Sequence, residues 1–151
     1  MERIADVMAV IGAELPSHHV PGLALALIHG GQVVGVAGSG ERIAGGDPVS
    51  ADTAFEAASQ HDADGSFAWR SSDRRRALGW AVASEGHGEI LWQHGDNPGY
   101  KHLAAFNPGT GDAVVVMTNG DCGRGLAVRV VAQIPGPSRI WTSATEREAT
   151  A

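Results

Sequence analysis

The apolar positions of the chain change period along its length. Ile4, Val7, Met8, Ile11 and Leu15 recur at three- and four-residue spacings and predict an amphipathic helix ended by Pro16. Beyond it, two apolar runs, Gly22 to His29 and Gln32 to Gly38, flank Gly30-Gly31. That dipeptide tolerates the positive φ angles of a two-residue turn, so the pair predicts a β-hairpin. A loop bearing Gly and Pro follows from Ser39 to Asp52, and Thr53 to Ser59 leads into a polar stretch, Gln60 to Arg76, with no sustained period. This stretch reads as a long loop or a broken helix.

From Ala77 the pattern turns to strands: Leu78 to Ser84, Glu89 to His94, Tyr100 to Asn107 and Asp112 to Asn119. Short turns at Glu85-Gly86-His87-Gly88 and Pro108-Gly109-Thr110-Gly111 separate them, the spacing of an antiparallel meander. Leu126, Val130, Val131 and Ile134 then share a helical face that Pro135-Gly136-Pro137 brings to a stop. The elements predict an α+β fold: an antiparallel sheet of about five or six strands, with the N- and C-terminal helices side by side on one face. Residues 1–141 form one domain in this reading, and 142–151 a frayed tail.

Composition narrows the function classes. With 151 residues the chain is long enough for one domain with a real core, and 43% hydrophobic residues against 19% charged speak against wholesale disorder. Seventeen Asp and Glu against 11 Lys and Arg leave no basic footprint for nucleic acid, and Arg74-Arg75-Arg76 reads as a solvated turn before a strand. No run approaches the roughly 18 apolar residues of a membrane helix, and the first six residues carry acids where a signal peptide is basic. A cytoplasmic location is the expectation, and the single cysteine, Cys122, agrees with it. Cys122 itself reads as a small buried hydrophobe rather than a nucleophile.

Two stretches carry a resemblance. Val20-Pro21-Gly22-Leu23-Ala24 through Gly40 and then Thr53-Ala54-Phe55-Glu56-Ala57-Ala58-Ser59-Gln60 form the first; Leu78-Gly79-Trp80, Trp92 to Tyr100, Asn107-Pro108 and Val114 to Asn119 form the second. Together they resemble the serine β-lactamase and penicillin-binding superfamily, specifically its class C-like branch with carboxylesterases and D-amino-acid peptidases. The resemblance covers most of residues 5–134 and implies the compact α/β half of that fold, with no cofactor. It implies Ser59 as the acyl nucleophile. Serine is a weak nucleophile at its own pKa and needs a proton acceptor, in this family the lysine of Ser-x-x-Lys. Here that position is Asp62, and the chain's one lysine, Lys101, has Pro98 three residues before it. The dyad is therefore absent.

The family's Tyr-x-Asn motif sits in a helical subdomain, for which the 17 residues between Gln60 and Leu78 leave no room. Its Lys-Thr-Gly motif, or the His-x-Gly variant, reads His94-Gly95-Asp96, with a side chain where close backbone approach is usual. By position, an oxyanion hole would use the N–H groups of Ser59 and Asn97.

Three readings stay open. In the first, a serine esterase or lactonase acts on small activated esters: Ser59 attacks, His94 or His61 takes its proton, Asp62 or Asp96 orients the imidazole, and Gly95, Asn97 and Tyr100 line the substrate groove. In the second, the same scaffold is catalytically inactive and binds a ligand or partner in the groove that the lost subdomain exposes. In the third, a metal site draws on His61, Asp62, Asp64, His87, His94, Asp96 and His102, although no His-x-x-x-His or Cys-x-x-Cys pair occurs. Strand edges exposed by the missing subdomain favour a homodimer. His29-Gly30-Gly31 reads as a hairpin turn rather than an oxyanion loop, and Trp80 and Trp92 as sheet core or groove wall.

Overall fold

The computed structural model of the chain describes residues 4–57, 74–77, 80–85 and 88–132. Helix α1 spans Ile4–Glu14 and buries Val7, Met8 and Ile11, the stripe that the spacing predicts. At its end the Leu15 carbonyl accepts from the N–H groups of both His18 and Val20, and a 3-10 turn at Pro16–His18 reverses the chain. His19, at φ 52°, completes the reversal.

Seven strands follow: β1 (Gly22–His29), β2 (Gln32–Gly40), β3 (Arg74–Ala77), β4 (Trp80–Glu85), β5 (Gly88–Asn97), β6 (Tyr100–Asn107) and β7 (Asp112–Thr118), with α2 at Gly123–Ala132. They form one sheet in the order β2-β1-β7-β6-β5-β4-β3, every neighbouring pair antiparallel. The chain is a small α+β fold. The N-terminal hairpin docks on the last strand of the meander through β1 and β7, the one junction between strands distant in sequence. The sheet holds one strand more than the turn spacings predict, because Arg74-Arg75-Arg76 is the edge strand β3 rather than a turn. An edge strand is solvated along one side, so charge is compatible with it.

Alternation along the strands places the core on one face. Leu25 of β1 pairs with Val116 of β7, and Val116 with Leu103 of β6; each is at most 1% exposed. Ile90 and Trp92 of β5 extend this layer, and Ile11 of α1 with Leu126 and Val130 of α2 close it from above. Both helices lie on this face, as the pattern predicts. A bidentate pair from Arg129 to Glu14 (2.8 and 3.2 Å) joins them, and the carboxylate raises the Arg129 pKa through these hydrogen bonds and its charge. Ile134 and the tail after residue 132, together with Trp69 and Trp141, lie outside the described residues. Trp92 is buried, as expected, whereas Cys122 is exposed beside the start of α2. The tight turn before Gly123 leaves that thiol outside the core. No helix among the described residues is long and apolar enough to cross a membrane.

Among the described residues the second face of the sheet is only partly covered. Residues 41–57 cross one end of it, where Val49, itself buried, packs against Gly38, and Val33, Val34 and Val36 of the edge strand β2 stay exposed. At the other end of β1 two hairpin turns meet. The Gly31 N–H donates to the Gly111 carbonyl at 2.8 Å. Asp112 gathers His29 Nδ1 at 2.7 Å and the Gly30 N–H at 3.1 Å on one oxygen, and the Thr110 hydroxyl at 2.8 Å on the other. Burial disfavours the carboxylate, but the hydrogen bonds from Thr110, Gly30 and His29 and the charge of His29 outweigh it, and the pKa falls below the usual value.

A group with a depressed folded pKa stabilises the fold above its unfolded pKa, near 3.9, and loses that contribution as the pH falls through the folded value. Asp112→Asn should therefore lower stability by about 1 kcal/mol at pH 7. Its urea midpoint should converge on that of the wild type at the lowest pH that keeps the protein folded. A constant difference at both pH values would deny the carboxylate this role.

Candidate functional site

The parity of strand β5 decides which candidate residues can meet. His94 and Asp96 pair with Leu103 and Lys101 of β6, and Gly95 and Asn97 with His102 and Tyr100. Because successive side chains point to opposite faces, His94 and Asp96 belong to the helix-bearing face and Gly95, Asn97 and Tyr100 to the other. The expected grouping of His94 and Asp96 with Asn97 and Tyr100 in one groove is corrected on this point.

On the helix side the His94 ring lies edge-on to Trp92, centroids 5.2 Å apart. Asp96 is engaged by two cations, Lys101 Nζ at 2.7 Å and Arg124 Nη2 at 3.3 Å. Lys101 also donates to the Asn97 carbonyl at 2.7 Å and lies 3.6 Å from Asp121. The Gly99 N–H and then Lys101 hold the Asp121 carboxyl below its ordinary pKa. This is a structural clamp at the foot of α2. The carboxylate proposed to orient an imidazole is committed to it.

On the other face, residues 53–57 form a strap across β6. His102, 5% exposed, anchors it: Nε2 donates to the Glu56 carbonyl at 2.7 Å, and Nδ1 accepts the Thr118 N–H at 3.3 Å. Those two partners require the neutral tautomer with its proton on Nε2. Both ring nitrogens are thereby used. Phe55 and Tyr100 each meet the His102 ring edge-on at 6.3 Å, and Asn97 Nδ2 donates to Glu56 Oε1 at 3.3 Å. Beside the strap opens a cavity of about 370 Å³, walled by Ile43, Ala54, Phe55 and Tyr100 and flanked by Arg42 and Asp47. Its size lies within the range of small-molecule pockets.

The loop that forms its outer wall is a second small hairpin. Glu41 bridges Pro48, the Arg42 N–H donates to the Asp47 carbonyl at 2.8 Å, and Gly46 donates to Ile43 at 2.8 Å. Asn119, following β7, ties this loop to the sheet, with Nδ2 donating to the carbonyls of Glu41 (2.8 Å) and Arg42 (2.6 Å) while Oδ1 accepts the Gly22 N–H (2.6 Å).

Ser59, His61 and Asp62 lie outside the described residues, as do Asp64 and His87 of the metal reading. Among the described residues no three His, Cys, Asp or Glu side chains group to hold a metal ion. His94 and Asp96 are separated from His102 by the sheet. Arg42, Asp47 and Phe55 of the cavity wall, and His102, which anchors the strap, are residues that the sequence does not single out as a group. The only local signal for the first two is the Gly45-Gly46-Asp47-Pro48 turn that folds them together. Comparison with known proteins finds no family model, no curated protein and no solved structure that matches this chain.

Proposed function

We propose that the chain is a β-lactamase-like relative of the class C-like serine esterase branch that serves as a small-ligand-binding scaffold rather than as a hydrolase. The observation that carries this reading is the division of the candidate residues between two faces. His94 and Asp96 stand on the helix side, Asp96 already held by Lys101 and Arg124. Asn97 and Tyr100 stand with Glu56 on the other. A triad needs nucleophile, base and orienter in hydrogen-bond contact, and Asp96, the orienter expected beside His94, is spent on Lys101 and Arg124. Among the described residues the one histidine of the groove face, His102, is bonded at both nitrogens. What persists is a cavity with aromatic walls.

The test is hydrolysis of p-nitrophenyl acetate and butyrate. The wild type should turn over at the rate of the uncatalysed background, unchanged by Ser59→Ala, by His94→Ala or by a chelator. Turnover abolished by Ser59→Ala and indifferent to chelation would replace this reading with a serine esterase. Loss on chelation would replace it with a metal hydrolase.

A further inference from the structure

The groove beside the strap has two charges of opposite sign at one opening. Arg42 and Asp47 flank the same cavity from neighbouring positions of the 41–48 hairpin, where a backbone hydrogen bond of 2.8 Å joins them. Neither side chain makes a hydrogen bond or an ion pair among the described residues, and the Tyr100 hydroxyl also makes none. Both charged residues are exposed. The hairpin is held on both sides, by the Glu41–Pro48 bridge and by Asn119, so the backbone that carries both charges is set in place before any ligand arrives. Phe55 and Tyr100, both half-buried, offer apolar surface to the cavity, and Ile43, 70% exposed, lines it as well. A purely anionic ligand would meet repulsion from Asp47, and a purely cationic one from Arg42. A molecule with both charges close together and an apolar group beyond them satisfies the whole opening.

From this arrangement we infer that the cavity binds a small zwitterion with an apolar or aromatic side group, of which a free α-amino acid is the simplest form. The Arg42 guanidinium and the Tyr100 hydroxyl take the carboxylate, Asp47 takes the ammonium, and the side group lies against Phe55 and Ile43. The inference rests on the groove being a ligand site and names the chemistry that fills it.

Isothermal titration calorimetry with racemic phenylalanine, 3-phenylpropionate and 2-phenylethylamine tests it on the full chain, with folding of each variant checked by circular dichroism. Phenylalanine should bind the wild type, and each single-charge analogue should bind about tenfold more weakly, because it forfeits one charge-assisted contact. Arg42→Gln and Asp47→Asn should each weaken phenylalanine by a similar factor. Because these residues lie on an exposed loop, both variants should fold. No binding of phenylalanine, equal binding to the wild type and both variants, or an analogue that binds as tightly as phenylalanine would overturn the assignment. Failure of the scaffold reading shows itself separately, as ester turnover that depends on Ser59.

Discussion

Replacing Gly40 by alanine is expected to destabilise the fold by about 3 kcal/mol or more, because the new methyl group meets both an unfavourable backbone conformation and a close approach. Gly40 ends β2 at φ +78°, a conformation that costs an L-residue about 1–2 kcal/mol. Its added Cβ would also collide with the Pro21 carbonyl oxygen and lie 2.8 Å from Leu15 Cδ1 and 2.9 Å from Gly22 Cα. Pro21 cannot simply retreat, since its oxygen accepts the Glu41 N–H at 2.8 Å. The control is Gly45→Ala. Gly45 has nearly the same φ, +75°, but nothing stands within 4 Å of its Cβ position, so it should lose only the conformational part, about 1–2 kcal/mol. Urea midpoints of the two variants separate backbone conformation from close approach. Equal losses would mean that the crossing at Gly40 is looser than described. Gly40 also sets the direction in which the chain leaves β2 toward Arg42 and Asp47, so its variant should damage the groove as well.

The second large effect is expected at His102. His102→Leu keeps much of the side-chain volume but leaves the Glu56 carbonyl and the Thr118 N–H without their partner, at a cost of about 2 kcal/mol. It also releases the strap, because the other polar tie from Glu56 to the sheet is the exposed contact with Asn97. Limited proteolysis should therefore cut near residues 53–57 faster than in the wild type, beyond what the loss of global stability explains. Unchanged cleavage and an unchanged urea midpoint would reduce His102 to a neutral spectator.

Much of the architecture was legible in the chain. Alternation in β1 and β7 and the three- and four-residue spacing in α1 report which face of each element is buried, and Gly30-Gly31 marks the hairpin turn. The pairing of β1 with β7 was not legible, because period 2 states which side chains face the core and not which strand lies alongside. Nor was β3, where three arginines offer no apolar alternation to read.

The separation of His94 and Asp96 from Asn97 was present in their numbering, since even and odd positions of a strand point apart. A motif treats neighbours in sequence as one group, whereas a strand divides them, and His94-Gly95-Asp96 invites that error. The register across the turn, Asn97 opposite Tyr100, is what places Tyr100 with Asn97. The groove as a whole could not be read from local pattern. Its lining comes from four separate places, 42–47, 53–55, Tyr100 and Asn119, joined only by the sheet order.

The proposed scaffold role requires that Ser59 perform no acyl chemistry. Its most direct test is covalent: incubation of the native chain with an alkyl fluorophosphonate, followed by intact mass spectrometry. An activated serine displaces fluoride and gains the phosphonyl group, whereas an ordinary serine reacts no faster than in the unfolded chain. An unmodified mass is expected. A single phosphonyl adduct on the native chain, absent from Ser59→Ala, would contradict it.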